Sequence, residues 1–426
     1  MSCPPSFDPV LSLARRCRDA GGRALVVGGA VRDMLLERYG LSPDVGPDGG
    51  GLPIDLDVEV HGLSARRLEA ILGRLGPVNL VGKSFMVFKL TIDGADLDVS
   101  LPRRDSRVRA GHRGIQVHGD PHLGLVEAAR RRDLTVNAIA LDPLTGELVD
   151  PFDGQRDLRR RLLRAVDPTT FTEDPLRALR VPQFAARFRF DVDPALRELC
   201  ASVPVHELPA ERIHAELRKL LLLPREPSWG VRVGVEARLW RRVHPALERD
   251  DWDAVCLAVD RAAVLRDGGL FTRGARAEAL MLSAFVGGVL PSALSDLLDR
   301  LDVFTLSRFP LRSAVLAALG RSPDLRAPLD DGALRLLARE AQDVGGVRLW
   351  LAVAQAHGSD CAEPAARAEQ LEVGLRAPER LVLGRHLKAL GIPAGPEMGV
   401  LLEGLYLRQL TEGIQDRDHL LEGLPC

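Results

Sequence analysis

Up to about residue 160 the apolar positions fall into short runs and alternations; beyond it they recur at helical spacing. Residues 8–20 carry Val10, Leu11, Leu13 and Ala14 on one side and predict a short amphipathic helix. Leu25, Val26 and Val27 form a β-type run that Gly28 and Gly29 end, and a helical pattern carrying Arg32 and Asp33 follows. Residues 40–53, rich in Gly, Pro and Asp, predict a loop. In residues 54–60, Leu56, Val58 and Val60 alternate with Asp55 and Asp57. A half-buried strand with both carboxylates on one face is the expectation. Residues 64–75 predict a helix stopped by Gly76-Pro77, and 78–81 and 86–92 predict strands with Gly82-Lys83-Ser84 between them. Asp96, Leu97, Asp98 and Val99 repeat the alternation; Asp98 is a possible third acid, with an edge-strand charge as the alternative. Residues 102–124 show no periodicity and are expected to form a loop. Leu134, Val136 and Ala138 alternate like a strand, DPLTGE reads as a hairpin turn, and Leu148-Val149 begins a return strand.

From Leu162 onward the pattern becomes helical. Thr172 or Asp174 is expected to cap a helix with Pro175 in its first turn, and Pro182 to end or kink it. Asp174, Arg177 and Arg180 are spaced by three and share a face. An Asp acceptor beside Arg donors can hydrogen-bond a nucleobase edge; a helix-surface salt bridge is the plainer alternative. Residues 192–426 read as mostly helical, with breaks near residues 224–227, 268–269, 287–288 and 345–346.

The length of 426 residues implies two or more domains. A formal charge of −2 creates no global field toward nucleic acid, so any such contact must be a local patch. The strongest basic segment runs from Arg103 to Arg132. It sets eight arginines against Asp105, Asp120 and Glu127, and reads either as a solvated loop or as a mobile one near nucleotide or RNA phosphates. With four Trp, two Tyr and twelve Phe, extensive aromatic stacking of RNA bases is not indicated. The six cysteines form no CxxC pair, which argues against zinc and disulfide frameworks. No apolar signal core and no long uncharged apolar run is evident, so a cytoplasmic location is expected.

The chemistry concentrates between residues 24 and 60. Strand, diglycine and helix expose backbone N–H groups at the positive end of a helix dipole, a cradle for phosphates. Placed beside paired carboxylates, it points to metal-dependent phosphoryl or nucleotidyl transfer. The Walker pattern of kinase-like nucleotide binders is missing.

The segments VVGGAVRDMLL, DLDVEV, RRRDLTVNAIALDPLTGELVDPF and EDPLRALRVPQFAARF, in that order over residues 24–190, resemble the class II tRNA nucleotidyltransferases (CCA-adding enzymes) and the bacterial poly(A) polymerases. The tail, LVLGRHLKALGIPAGPEMGVLLEGLYLRQL, matches more weakly. The resemblance implies an α+β protein: a palm-like β-sheet nucleotidyltransferase head at 1–165, then an all-helical neck at 166–245, body at 246–375 and tail at 376–426, the tail binding tRNA. It implies Asp55 and Asp57 as the catalytic, Mg2+-binding pair. Gly28, Gly29, Arg32 and Arg132 would contact the nucleotide, supported by Asp133. Asp174, Arg177 and Arg180 would form a template for the incoming base. The implied partners are tRNA, CTP and ATP, with no membrane. Three departures stand out: a long linker at 37–53, Met86 where the family often has glycine, and Gln183 where some members carry arginine. None of the ten histidines precedes an aspartate, so the His-Asp phosphohydrolase of many relatives is expected to be absent, residues 250–320 being at most a decayed version. Full CCA addition, CC- or A-addition alone, poly(A) synthesis and a non-catalytic RNA-binding protein on the same scaffold remain open at this point.

Overall fold

The computed structural model describes residues 7–46, 56–81, 87–107, 115–271, 274–326 and 329–422. The chain divides into two compact units, Met1–Glu248 and Arg249–Cys426.

The first unit opens with helix α1 (Asp8–Asp19), whose Val10, Leu13, Ala14 and Cys17 are buried as the spacing required. Strand β1 (Arg23–Val27), helix α2 (Gly29–Arg38), strand β2 (Leu56–His61) and helix α3 (Ala65–Leu72) follow. Next come β3 (Asn79–Val81), β4 (Val87–Ile92), β5 (Ala95–Ser100), β6 (Arg103–Arg107), β7 (Ile115–Gly119), α4 (Leu125–Arg130), β8 (Ala140–Leu141) and β9 (Leu148–Val149). Seven of these strands form one sheet in the order β3-β4-β5-β2-β1-β8-β9. Within this sheet, among the described residues, only β2 and β5 pair in parallel. Adjacent strands β1 and β2 bury its apolar centre: Leu25, Val26, Val58 and Val60 are at most 1% exposed.

Helical structure then takes over: α5 (Gly154–Arg160), strand β10 (Leu162–Leu163), α6 (Pro168–Glu173), α7 (Leu176–Phe188), strand β11 (Asp191–Val192), α8 (Pro194–Ser202), α9 (Ala210–Leu222), α10 (Ser228–Glu236) and α11 (Trp240–Val243). Helix α7 packs on α9 and α10. The second unit is all-helical among its described residues: α12 (Trp252–Asp267), α13 (Ala275–Val286), α14 (Pro291–Arg300), α15 (Leu311–Arg321), α16 (Asp331–Ala341), α17 (Val347–Ala356), α18 (Ala362–Gln370), α19 (Gly384–Ala389), α20 (Pro396–Glu412) and α21 (Arg417–Leu421), with short 3-10 turns between some of them. Helix α13, buried on every side, packs against α12, α15 and α17; Val382, Leu387, Met398, Leu405 and Leu420 close a smaller core of their own.

Four expectations need correction. Residues 102–124 are not a plain loop: β6 and β7 pair antiparallel as a separate ribbon. Pairing of two strands outside the main sheet is fixed by backbone hydrogen bonds, which do not require alternation in sequence. Residues 134–138 form no strand; residues Thr135–Asn137 are a 3-10 turn. Leu134, Val136 and Ala138 are buried there, but so are Thr135 and Asn137, held by polar partners, so the alternation had no exposed face to report. The cap of α7 is shifted: its N-cap position is Pro175 rather than Thr172 or Asp174, although Asp174 Oδ1 still accepts from Leu176 N, the first helical N–H, and the side-chain cap of α6 is Asp167 on the N–H groups of Thr169 and Thr170. Of the two expectations for Pro182, an end or a kink, the end is overturned: α7 runs on to Phe188. An internal proline costs about 3 kcal/mol. Burial of Phe184, Ala185, Ala186 and Phe188 beyond it offsets that cost. Asp55, Met86 and the Gly82-Lys83-Ser84 segment lie outside the described residues.

Candidate active site

Strand β1 delivers the chain to Gly28 with Val27 directly opposite Asp57 of β2. Gly28 turns the chain at φ 75°, ψ −137°, and helix α2 starts at the next residue. A side chain there would be strained by the dihedral and would also crowd its neighbours. A Cβ would lie 3.1 Å from Asp57 Oδ2 and 3.4 Å from Arg132 Nη1. The diglycine turn, the β2 carboxylate and the second arginine of the RRD segment therefore meet at one point. Arg32, one turn into α2, is only 4% exposed. Its Nη1 donates to Asn137 Oδ1 at 2.7 Å and its Nε to Asp33 Oδ1 at 2.8 Å. Its guanidinium lies 4.5 Å from the Phe188 ring centre and 5.4 Å from that of Phe184, cation–π contacts worth about 0.5–2 kcal/mol each.

The β2 face continues inward from Asp57, which is exposed, to Glu59 and His61, which are buried. Glu59 lies 3.0 Å from His61 Nε2, 3.9 Å from Arg131 Nη2 and 4.0 Å from Arg132 Nη2. Burial works against its charge. The His61 hydrogen bond and the charges of Arg132, His61 and Arg131 outweigh burial and hold its carboxyl below the usual range. Asp98 is the register partner of Asp57 on β5, but its carboxylate accepts from Lys89 Nζ at 2.8 Å and borders a different hollow, on the β3-β4-β5 side.

Asp133 anchors the other wall. Its Oδ1 accepts from Leu134 N at 2.8 Å and Asn137 Nδ2 at 3.0 Å, and its Oδ2 lies 3.2 Å from Arg180 Nη2. Burial again opposes the charge, and Arg180, the Asn137 amide, the Leu134 N–H and Arg177 together keep the carboxyl below its ordinary range. Arg177 spends Nη1 on Thr170 O and Nη2 on Arg131 O, each at 2.6 Å, which ties the start of α7 to the RRD segment. Asp174 Oδ1 accepts from Leu176 N at 3.1 Å, and its Oδ2 lies 3.5 Å from Arg212 Nη2.

A cleft of about 500 Å3 opens between these walls. The structure brings Gly28, Gly29, Arg32, Asp57, Arg132, Asp133, Asp174, Arg177 and Arg180 together there; Asp98 is not among them, and Asp55 lies outside the described residues. Sequence reasoning missed Glu59, Asn137, Phe184 and Arg187. Glu59 had a signal, the period-2 continuation of Asp55 and Asp57. So did Asn137, four residues after Asp133. Phe184 and Arg187 continue the Arg177–Arg180 side of α7 at helical spacing. Among the described residues no three Asp, Glu, His or Cys side chains converge as a metal cage. The exposed carboxylate of Asp57, a hard oxygen donor at an open cleft, still suits a divalent cation that takes its other ligands from phosphate and water.

Residues 24–164 match the family model of the poly A polymerase head domain. Over this segment the chain is similar to that family. The resemblance read from the sequence holds for this segment. The Multifunctional CCA protein of Stenotrophomonas maltophilia (strain K279a) is 40% identical over 230 residues, 52% of this chain and 51% of its own. The chain thus spans about half the length of the curated relatives it matches. A Thermotoga maritima CCA-adding enzyme complexed with tRNA_CCA superimposes with a TM-score of 0.69 at 22% identity, over 99% of this chain and 95% of that one. A Bacillus stearothermophilus CCA-adding enzyme in complex with CTP gives 0.65 at 22%, over 99% and 98%. At that identity these likenesses establish the fold alone, an α+β arrangement of a mixed sheet followed by helices. Among the described residues no helix is long and apolar enough to cross a membrane.

Proposed function

We propose that the protein is a tRNA nucleotidyltransferase that adds C and/or A nucleotides to the tRNA 3′ end from CTP and ATP, releasing pyrophosphate. The observation that carries this reading is the meeting of Gly28, Asp57 and Arg132 at one point of a cleft whose other wall is the Asp174–Arg180 segment. The relatives named for CCA and the similar structures with tRNA and CTP support the same reading. We read residues 1–165 as the catalytic head, 166–245 as the neck, 246–375 as a helical body and 376–426 as a tRNA-binding tail, acting in the cytoplasm.

The N-terminus of α2 and the Gly29 amide face the triphosphate, and Arg32 and Arg132 orient it. Asp57, with Asp55 two residues before it, would hold Mg2+. Two such cations would be held there, supplying the charge that acidifies the attacking 3′-hydroxyl and neutralises the leaving phosphates. Positioning and charge complementarity supply most of the rate in such transfers, which suits a cleft built of arginines on buried supports. Asp174 and Arg177 stand where a base can be read. Asp offers an acceptor to the exocyclic amine shared by cytosine and adenine, and Arg retains donors beyond those given to the two carbonyls. Incubation with tRNA lacking its 3′ CCA, and CTP, ATP or both, should give products one to three nucleotides longer. Extension by C alone or A alone would mark a partial enzyme, a long A tail a poly(A) polymerase. No extension with intact RNA binding would mark a non-catalytic scaffold.

A further inference from the structure

Arg177, Arg180, Phe184 and Arg187 follow one side of α7 along the cleft. The first two arginines are engaged, Arg177 by backbone carbonyls and Arg180 by Asp133. Arg187 differs: its Nε is shielded from solvent and has no hydrogen-bond partner. Its guanidinium lies 5.3 Å from the Phe188 ring centre, and Arg32 lies 4.5 Å from the same ring. Two like charges thus share one aromatic side chain. Burial and the Arg32 charge both weaken the protonated form of Arg187, and Asp33 alone works against them. Asp33 is already bonded to Arg32. An anion reaching both guanidinium groups would give the Arg187 Nε an acceptor and offset the repulsion between the two charges.

Position says which anion. The α-phosphate must meet Asp57, at the Gly28–Arg132 corner. Arg177 marks the base end of α7. Arg187 lies ten residues further, about 15 Å along the axis. Arg32 and Arg187 therefore occupy the cleft beyond the α-phosphate. We infer that Arg187, paired with Arg32, forms a subsite for the β- and γ-phosphates of the incoming nucleotide and for the pyrophosphate they become. This rests on the nucleotidyl-transfer reading above.

The test is equilibrium binding of CTP and CMP to the full-length protein, with product inhibition by pyrophosphate, for wild type, Arg187→Gln and Arg187→Lys. Arg187→Gln should weaken CTP on the order of ten- to a hundred-fold, the loss of one charge-assisted contact. It should leave CMP unchanged and raise the inhibition constant of pyrophosphate in parallel, and Arg187→Lys should recover part of both. Should Arg187→Gln fail to fold, Arg187→Met keeps an apolar stem on Phe188 and carries the same comparison. Equal losses for CTP and CMP, or no loss for either, would overturn the inference and return Arg187 to a packing role. A wild type that binds CTP no better than CMP would instead sink the triphosphate reading of the cleft, and this subsite with it.

Discussion

Asp133 is the carboxylate on which the arginine wall rests, and Asp133→Asn isolates its charge. The side chain is 6% exposed and keeps its shape in the variant, but an amide nitrogen can then face the Arg180 guanidinium. Breaking a buried ion pair by removing one partner costs about 3–5 kcal/mol. Arg180 keeps a 38% exposed side chain, so solvent recovers part of that, and about 2–3 kcal/mol is the expected loss. For a cooperative unit of this size each kcal/mol moves Tm by about 2–4 °C, so Tm should fall by about 4–12 °C. The pH dependence has a definite sign. The folded-state pKa of Asp133 lies below its unfolded value of about 3.9. Its stabilisation is therefore fully present above that unfolded value and disappears as pH falls through the folded one. Thermal unfolding followed by circular dichroism, at neutral pH and in acid, should show the gap between wild type and variant closing in acid. An unchanged Tm at neutral pH, or a gap that persists in acid, would refute the reasoning.

Gly28→Ala places a residue at a dihedral that costs about 1–3 kcal/mol and puts a methyl group against Asp57; nucleotide incorporation should fall sharply while circular dichroism stays native, and normal turnover would contradict the corner geometry. Glu59→Gln removes the charge facing Arg131 and Arg132 and should raise KM for CTP by about tenfold, with kcat less affected; a fall in kcat alone would argue against a positioning role. Asp174→Ala should relax rejection of UTP and GTP, since each mismatched pairing costs about 1–3 kcal/mol, in single-nucleotide incorporation on truncated tRNA. Unchanged selectivity at undiminished rate would assign Asp174 to the Leu176 turn and the Arg212 pair alone.

The head was legible because its signals were local and its burial one-sided. Alternation in 56–60 gave β2, the apolar run at 25–27 gave β1, and Gly28 marked the turn that only glycine adopts there. The 3-10 turn at Thr135–Asn137 was not legible, because all of its side chains are buried and polar partners such as Asp157 and Asp133 decide its shape. The course of α7 through Pro182 depends on what packs around it: the Pro182 carbonyl abuts Gly230 of α10 so closely that a Cβ there would lie 2.2 Å away. The site residues with a sequence signal were those on a periodic face. Glu59 and Asn137, the supports beneath them, had a spacing signal as well, but which arginines they hold is decided by the fold and not by spacing.

The central claim is that Asp57, at the Gly28–Arg132 corner, serves nucleotidyl transfer to RNA. The direct measurement is pyrophosphate release against nucleotide incorporation on tRNA lacking its 3′ CCA, with Mg2+, for wild type and Asp57→Asn. Wild type should release one pyrophosphate for each nucleotide added, and Asp57→Asn should add none while folding normally and still binding tRNA. Incorporation by Asp57→Asn at the wild-type rate, or nucleotide turnover by wild type without any lengthening of the RNA, would contradict the account.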